Sequence, residues 1–134
     1  MAKVMIPRIT RLLLICWWLS SSTLMAAEAT ITVTKLQAGR EIALQVGDIL
    51  RVELPARGGT GYTWVLEETF APCLRLMDQA AEPVGEPRPG APVMQVWRFK
   101  AEKPGAAEVK MAYYRPWEGV GTAVDRFLIK LRIE

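Results

Sequence analysis

Apolar and polar residues alternate along most of the chain after residue 29, the pattern that half-buried β-strands produce. The segments 30–34, 41–46 and 125–134 show it most clearly. No segment has a convincing helical period, and turn residues separate the alternating runs at short intervals. Seven or eight short strands are therefore predicted. They favour an all-β fold, an antiparallel β-sandwich of immunoglobulin-like size, without internal repeats or a second domain.

The alternation also predicts which side chains face the core. In four strands the larger or more apolar set is expected to point inward. These sets are Tyr62, Trp64 and Leu66; Trp97 and Phe99; Ala107, Val109, Met111 and Tyr113; and Phe127, Ile129, Leu131 and Ile133. The segment 73–81 is only weakly strand-like. The residues 67–72 are expected to form a link, with room for one helical turn.

The first 27 residues resemble a secretory signal peptide rather than part of the fold. They begin with basic residues, continue with the apolar run 12–19 and end with small residues. The run is too short for a membrane-spanning helix, which needs about 20 residues. Cleavage is expected after Ala27 or Ala29, so 28–134 is the folded domain and the protein is periplasmic or secreted. Lipidation at Cys16 is not expected, because Ile15 precedes it where a small residue is required.

Charge gives no indication of a polyanionic partner. The chain has 17 basic and 14 acidic residues, and three of the basic ones lie in 1–27. The predicted domain therefore has 14 of each sign and a net charge near zero. Neither nucleic acid nor a membrane is an expected partner of the mature form.

The residue inventory excludes most catalytic chemistry. The chain contains no histidine, so nucleophile–histidine pairs and histidine metal sites are excluded. Cys73 is the one cysteine in 28–134 and is expected to be buried and inert. The glycine-rich stretch at 58–61 precedes a strand and lacks the Lys-Ser/Thr ending of a phosphate-binding loop. The protein is therefore predicted not to be an enzyme and to need no cofactor or metal.

Three unusual loops remain, here called the first loop (57–61), the second loop (83–92) and the third loop (115–119). The first is rich in glycine, the second in proline and glycine, and the third contains Arg115 and Trp117. Arginine and tryptophan dominate binding hot spots, so the third loop indicates a contact surface. An immunoglobulin-like topology would bring the first and third loops to one end as its B–C and F–G connections, and the second loop would join them if it is the D–E connection. The alternative is three unrelated turns, with Trp117 folded back onto the sandwich edge and Arg115 stacked on it.

Several motifs resemble the chagasin family, which are protein inhibitors of papain-like cysteine proteases with members exported to the bacterial periplasm. The motifs are Thr60-Gly61-Tyr62-Thr63-Trp64, then Gly90, then Val96-Trp97-Arg98-Phe99-Lys100-Ala101, then Pro104-Gly105, and finally Tyr114-Arg115-Pro116-Trp117-Glu118. They occur in the family's order between about Val46 and Glu134. The block around Arg115-Pro116-Trp117 is the most specific, and the second loop is the weakest match.

The resemblance implies an immunoglobulin-like sandwich whose three loops form one wedge. The first loop would enter the catalytic centre of a papain-like cysteine protease, and the other two would grip the walls of its cleft. Inhibition would be reversible and non-covalent, and the free inhibitor is expected to be a monomer. The implied protease-binding residues are Arg57, Gly58, Gly59, Thr60, Gly61, Gly90, Ala91, Arg115, Pro116 and Trp117. Tyr62 and Trp64 are expected to pack beneath the first loop.

The first loop departs from the family motif at its tip. Arg57, Gly58 and Gly59 stand where the family has Asn, Pro and Thr. Glycine in place of proline makes the tip more flexible, and ordering it on binding would cost on the order of 1 kcal/mol per residue. The charge on Arg57 favours an acidic cleft and opposes a basic one. Weaker affinity for generic papain-like enzymes, or a different natural target, is therefore predicted.

A second interpretation keeps the sandwich but assigns another partner. Exposed aromatic loops also suit sugars and peptides, so the domain could be a cell-envelope interaction or ligand-binding module without a protease target. The position of Trp117 relative to Thr60 separates the two interpretations. The inhibitor interpretation requires the loops at 57–61, 85–92 and 115–119 to lie together at one end of the fold.

Overall fold

The computed structural model describes residues 27–67 and 71–134. Most of the predicted signal peptide and the central residues of the predicted link therefore lie outside the described residues. The described chain forms eight strands: β1 (Thr30–Thr34), β2 (Glu41–Leu44), β3 (Ile49–Arg57), β4 (Thr63–Leu66), β5 (Leu74–Pro83), β6 (Pro92–Ala101), β7 (Gly105–Tyr114) and β8 (Asp125–Ile133). Three short 3₁₀ turns complete it, at Lys35–Gln37, Pro116–Glu118 and Val120–Thr122. No helix in this part of the chain is long and apolar enough to cross a membrane.

The strands form two four-stranded sheets that pack as a sandwich. One sheet has the order β1-β3-β6-β5, and the other has the order β2-β8-β7-β4. The predicted sandwich of seven or eight strands is thus confirmed, but its sheets are mixed and not purely antiparallel, because β1 pairs with β3 and β2 pairs with β8 in parallel. Between β1 and β3 the chain passes through β2 in the opposite sheet. Crossing twice returns the chain in its original direction, which makes the β1–β3 pair parallel.

The core lies between the sheets and is built from the predicted inward sets. Trp97 and Phe99 are buried, as are Ala107, Val109 and Met111 and the four alternate residues from Phe127 to Ile133. Tyr113 is half-buried against this core. Trp64 is also buried, and its indole N–H donates to the Pro55 carbonyl at 2.9 Å, which satisfies the polar atom of a buried ring. Cys73 is a buried free thiol, as predicted.

Strand β5 explains why the sequence signal at 73–81 is weak. It is an edge strand of ten residues, and most of its side chains are exposed. Its counterpart at the same edge of the other sheet, β4, has only four residues and covers little of it. A bulge between Leu76 and Asp78 also interrupts the alternation. An exposed, bulged edge strand does not need a regular apolar face.

Opposite charges support the outer face where β3, β6 and β5 meet. Arg51 and Arg98 lie directly opposite each other on β3 and β6, which would be unfavourable for two unpaired cations. Arg51 binds Glu53 at 2.6 Å and Glu82 at 3.0 Å, and Arg98 Nε donates to Asp78 Oδ1 at 2.9 Å. The hydrogen bonds from Arg98 lower the pKa of Asp78 from its ordinary value. β5 is therefore fastened to the sheet by charged side chains.

Three connections lie at one end of the sandwich. Arg57 pairs with Pro92, so the end of β3 lies beside the start of β6. Thr63 pairs with Tyr114, so the start of β4 lies beside the end of β7. The first, second and third loops leave from these positions. The β6–β7 turn at Lys103 lies at the opposite end, as does the turn between β2 and β3.

Candidate functional site: three loops at one end of the sandwich

A threonine side chain closes the first loop. The Thr60 hydroxyl donates to the Arg57 carbonyl at 3.0 Å and accepts from the Tyr62 N–H at 3.3 Å. Gly59 and Gly61 have φ angles of +74° and +78°, a conformation that glycine adopts without strain. These two positions therefore require glycine for the backbone to turn around Thr60.

Aromatic rings support the first loop from below. The Tyr113 ring lies 5.5 Å from the Tyr62 ring and 5.0 Å from the Trp64 ring, measured between centroids. Its hydroxyl accepts a hydrogen bond from the Arg57 N–H at 3.0 Å. Tyr62 and Trp64 thus pack beneath the loop, as the sequence predicts. Tyr113 adds a direct hydrogen bond to the start of the loop that the sequence alone does not indicate.

Arg115 fastens the third loop to the first. Its Nε donates to the Thr60 carbonyl at 3.0 Å, and its guanidinium lies 4.6 Å from the centroid of the Tyr62 ring. Its Nη1 also lies 3.3 Å from a carboxylate oxygen of Glu118. Arg115 therefore stacks on Tyr62 and not on Trp117, and its charge is balanced within the third loop.

Trp117 lies against the glycine that ends the first loop. A Cβ atom placed on Gly61 would be only 2.2 Å from the Cη2 atom of the Trp117 ring. The indole nevertheless remains 71% exposed. Trp117 is therefore next to the first loop with most of its ring facing solvent, which is the arrangement that the inhibitor interpretation requires.

The second loop approaches the first through its backbone. A Cβ atom on Gly58 would lie 2.3 Å from the Ala91 carbonyl oxygen, and one on Gly59 would lie 3.5 Å from the Gly90 Cα atom. Ala91 is buried, and its N–H donates to the Arg88 carbonyl at 3.0 Å. Among the two second-loop positions predicted for binding, Gly90 is exposed, whereas Ala91 lies beneath the first loop.

Gln95 supports the site and was not singled out from the sequence. Its Oε1 accepts the Trp64 N–H at 2.8 Å, and its Nε2 donates to the Thr63 hydroxyl at 2.8 Å. Gln95 belongs to β6, and β4 is the edge strand of the other sheet, so this amide ties the two sheets together just below the first loop. Gln95 alternates with the inward-facing Trp97 and Phe99 along β6. A polar residue on that face was the sequence signal for a hydrogen-bonding role.

The two sides of the first loop differ in charge. Arg57 and Arg88 are exposed, and the described part of the chain offers neither of them an ion-pair partner within 4.0 Å. Glu86 also lies in the second loop. On the other side, Arg115 is paired with Glu118. No group of three or more potential metal ligands occurs among the described residues.

This geometry defines a class of protein: a rigid β-sandwich that presents a protruding surface of three interlocked loops for recognition. Residues 43–131 match the model of a known family, the Chagasin family peptidase inhibitor I42. The chain therefore belongs to the chagasin family of peptidase inhibitors. The predicted resemblance is confirmed, and so is the prediction that the protein is not an enzyme.

Two relatives support the assignment to this family. The chain is 25% identical to chagasin of Trypanosoma cruzi over 104 residues, which cover 75% of this chain and 94% of the relative. It is 28% identical to amoebiasin-2 of Entamoeba histolytica over 89 residues, 64% of this chain and 71% of the relative.

The solved structures show the shared fold. The crystal structure of the cysteine protease inhibitor EhICP2 from Entamoeba histolytica superposes with a TM-score of 0.72 at 21% identity, covering 81% of this chain and 98% of that one. The structure of PbICP-C in complex with falcipain-2 gives 0.55 at 20% identity, covering 79% of this chain and 99% of that one.

Proposed function

We propose that the protein is a reversible, non-covalent inhibitor of papain-like cysteine proteases and that it occludes the active-site cleft with its three loops. The observation that carries the proposal is the junction of the loops. Arg115 binds the Thr60 carbonyl, Trp117 lies against Gly61, and Gly58 lies against Ala91. These contacts fix the three loops relative to one another, which reduces the conformational entropy lost on binding and offsets part of the ordering cost expected for the glycine-rich tip.

The relatives supply the class of target. EhICP2 is described as a cysteine protease inhibitor, and PbICP-C has been solved in complex with falcipain-2. Together with membership of a peptidase-inhibitor family, they favour a cysteine protease as the partner of this chain. The rival ligand-binding interpretation has no comparable support.

Each loop has a distinct role in this proposal. Gly59, Thr60 and Gly61 form the plug, because their exposed or half-exposed backbone has little side-chain bulk and can approach a catalytic centre closely. Trp117 and Pro116 contact one wall of the cleft, with Arg115 holding them in place. Gly90 contacts the other wall, Ala91 supports Gly58 from below, and Arg57 adds a charge beside the plug.

Nothing in the plug suggests a covalent step. The residues 57–61 contain no cysteine, and the threonine hydroxyl is engaged with the Arg57 carbonyl. Inhibition would then depend on surface complementarity alone, over about 800 Å² on each partner for an interface of standard size. Dilution of the complex should restore full protease activity.

The decisive experiment is a titration of papain and a cathepsin L-like enzyme with the purified protein. The proposal predicts stoichiometric or concentration-dependent loss of activity against at least one of them. It also predicts recovery on dilution and an uncleaved inhibitor chain by mass spectrometry. Full activity of both enzymes at a large molar excess of the protein would contradict it.

The site of action is part of the proposal. Residues 1–27 have the features of a signal peptide, so the inhibitor domain 28–134 would act in the periplasm or outside the cell. The free domain would be a monomer. Expression of the full chain in a Gram-negative host should yield a periplasmic product. Its measured mass should match a chain that begins at residue 28 or 30. An intact cytoplasmic chain would oppose this location without affecting the inhibition assay.

A further inference from the structure

Large apolar side chains are exposed on the third-loop flank of the site. In the connection from β7 to β8, Trp117 is 71% exposed, Val120 47% and Val124 64%. Leu36, in the 3₁₀ turn Lys35–Gln37, is 84% exposed. Exposed apolar residues that gather on one side of a fold mark interaction surfaces. The three-loop proposal includes Trp117 but leaves the other three without a role.

Lys35 connects the turn that carries Leu36 to the loop end of the sandwich. The Lys35 ammonium donates to Asp125 Oδ1 at 2.6 Å and to the Arg126 carbonyl at 2.7 Å. It also lies 4.8 Å from the centroid of the Trp64 ring, which packs beneath the first loop. The turn that carries Leu36 is therefore fastened to the start of β8, directly after Val124.

The backbone that presents Leu36 is held in place before any partner binds. Thr34 and Gln37 form a capping box around the turn: the Thr34 N–H donates to Gln37 Oε1 at 2.8 Å, and the Leu36 N–H donates to the Thr34 hydroxyl at 3.3 Å. An exposed leucine on a fixed turn can be buried by a partner at little cost in backbone entropy.

Most charged side chains on this flank are already paired, although Arg40, four residues after Leu36, is exposed and has no ion-pair partner among the described residues. Lys35 pairs with Asp125, Arg115 pairs with Glu118, and Arg126 pairs with Glu67. The other side of the first loop carries Arg57 and Arg88, which are exposed and have no ion-pair partner among the described residues. A surface with exposed aliphatic groups and mostly paired charges fits an apolar partner surface, because burying Leu36, Val120 and Val124 does not require breaking an ion pair.

We infer that the protease-binding surface extends past the third loop along Val120 and Val124 to Leu36. The Lys35–Gln37 turn is then a fourth contact element, and it binds an apolar rim beside the cleft of the target protease. This inference rests on the proposed inhibitor function, and it narrows the target to papain-like enzymes with an apolar surface on that side.

The double substitution Leu36→Gln with Val124→Thr tests the inference. Both changes keep the approximate volume and remove apolar contact area. The inhibition constant for a susceptible papain-like protease should rise about tenfold, since two aliphatic side chains would no longer be favourably buried. The matched control is Val46→Thr, because Val46 is 43% exposed and lies at the opposite end, where its N–H donates to the Glu134 carbonyl.

Three results would overturn the inference. If the wild type, the double variant and the control have equal inhibition constants, the fourth contact element is wrong and the three-loop proposal stands. Absence of inhibition by the wild type would overturn both. A dimer of the free protein that dissociates in the double variant, seen by light scattering, would assign the flank to a second copy of the chain. If the double variant unfolds at the same thermal midpoint as the wild type, misfolding is excluded as the cause of a raised inhibition constant.

Discussion

The second and third loops lie on either side of the first and are attached to it differently. The third loop uses side chains: the Arg115 guanidinium binds the Thr60 carbonyl and stacks on Tyr62, and the Trp117 indole covers Gly61. The second loop uses backbone: the Ala91 carbonyl lies where a side chain on Gly58 would have to be. One contact requires particular side chains, and the other requires that a side chain be absent.

This difference explains why the two loops are not equally recognisable. An arginine that must reach a carbonyl and stack on a ring has no good substitute, so its motif remains specific. A close backbone approach constrains only the small residue at the contact, and the remaining second-loop residues are free to differ. The weak match of the second loop therefore does not mean that it lies far from the site.

The largest expected effect comes from Gly58→Ala, which breaks the backbone contact. The new Cβ would lie 2.3 Å from the Ala91 carbonyl oxygen, so the first and second loops must separate. The inhibition constant should rise about thirtyfold, and the free energy of unfolding should fall by about 1–3 kcal/mol. Enzyme inhibition assays and chemical denaturation measure the two effects.

Gly121→Ala is the matched control for this change, because a Cβ at Gly121 meets no heavy atom within 4 Å. It should leave stability unchanged. If Gly58→Ala inhibits as well as the wild type, the close approach of the second loop is irrelevant to binding.

Trp117→Ala tests the side-chain contact and should raise the inhibition constant at least tenfold, about 1.4 kcal/mol. Because Trp117 is 71% exposed in the free protein, the thermal midpoint should change little. Trp117→Phe should retain part of the affinity. A loss of stability in place of affinity would instead assign Trp117 a structural role.

Arg115→Lys asks whether the third loop needs the guanidinium or only its charge. Lysine has no planar group to bind the Thr60 carbonyl while stacking on Tyr62, so an approximately fivefold loss of affinity is expected. The same change at Arg132, an exposed arginine at the opposite end of β8 that pairs with Glu41, serves as the control and should have less effect. Equal losses of affinity in the two lysine variants would show that the planar guanidinium of Arg115 is unimportant for binding.

Arg57→Gln should have the smallest effect and addresses the charge asymmetry. Removing an exposed cation should slow association with an acidic cleft about two- to threefold at low salt, with the difference vanishing at high salt. Lys103→Gln, at the opposite end, is the control. Faster association of the Arg57 variant would indicate a basic cleft, and no change would mean that Arg57 lies outside the interface.

Much of the fold could be predicted from the sequence because alternation reports burial directly. The inward sets on β6, β7 and β8 follow from side chains that point to opposite faces along a strand. β5 could not be delimited in the same way, since an exposed edge strand with a bulge does not need an alternating pattern. The sequence also could not predict that β1 pairs in parallel with β3 and β2 with β8, because strand direction depends on which sheet the chain crosses into.

For the site, the sequence by itself determined which loops carry Arg115 and Trp117, which glycines lie beside Thr60, and that no histidine is available for catalysis. Only the tertiary structure decided that Gly58 lies against Ala91, that Gln95 ties β4 to β6, and that Lys35 binds Asp125 at the start of β8. Local conformation and burial follow from residues near one another in the chain. Contacts between distant segments depend on how the two sheets pack, and short sequence patterns carry no record of that.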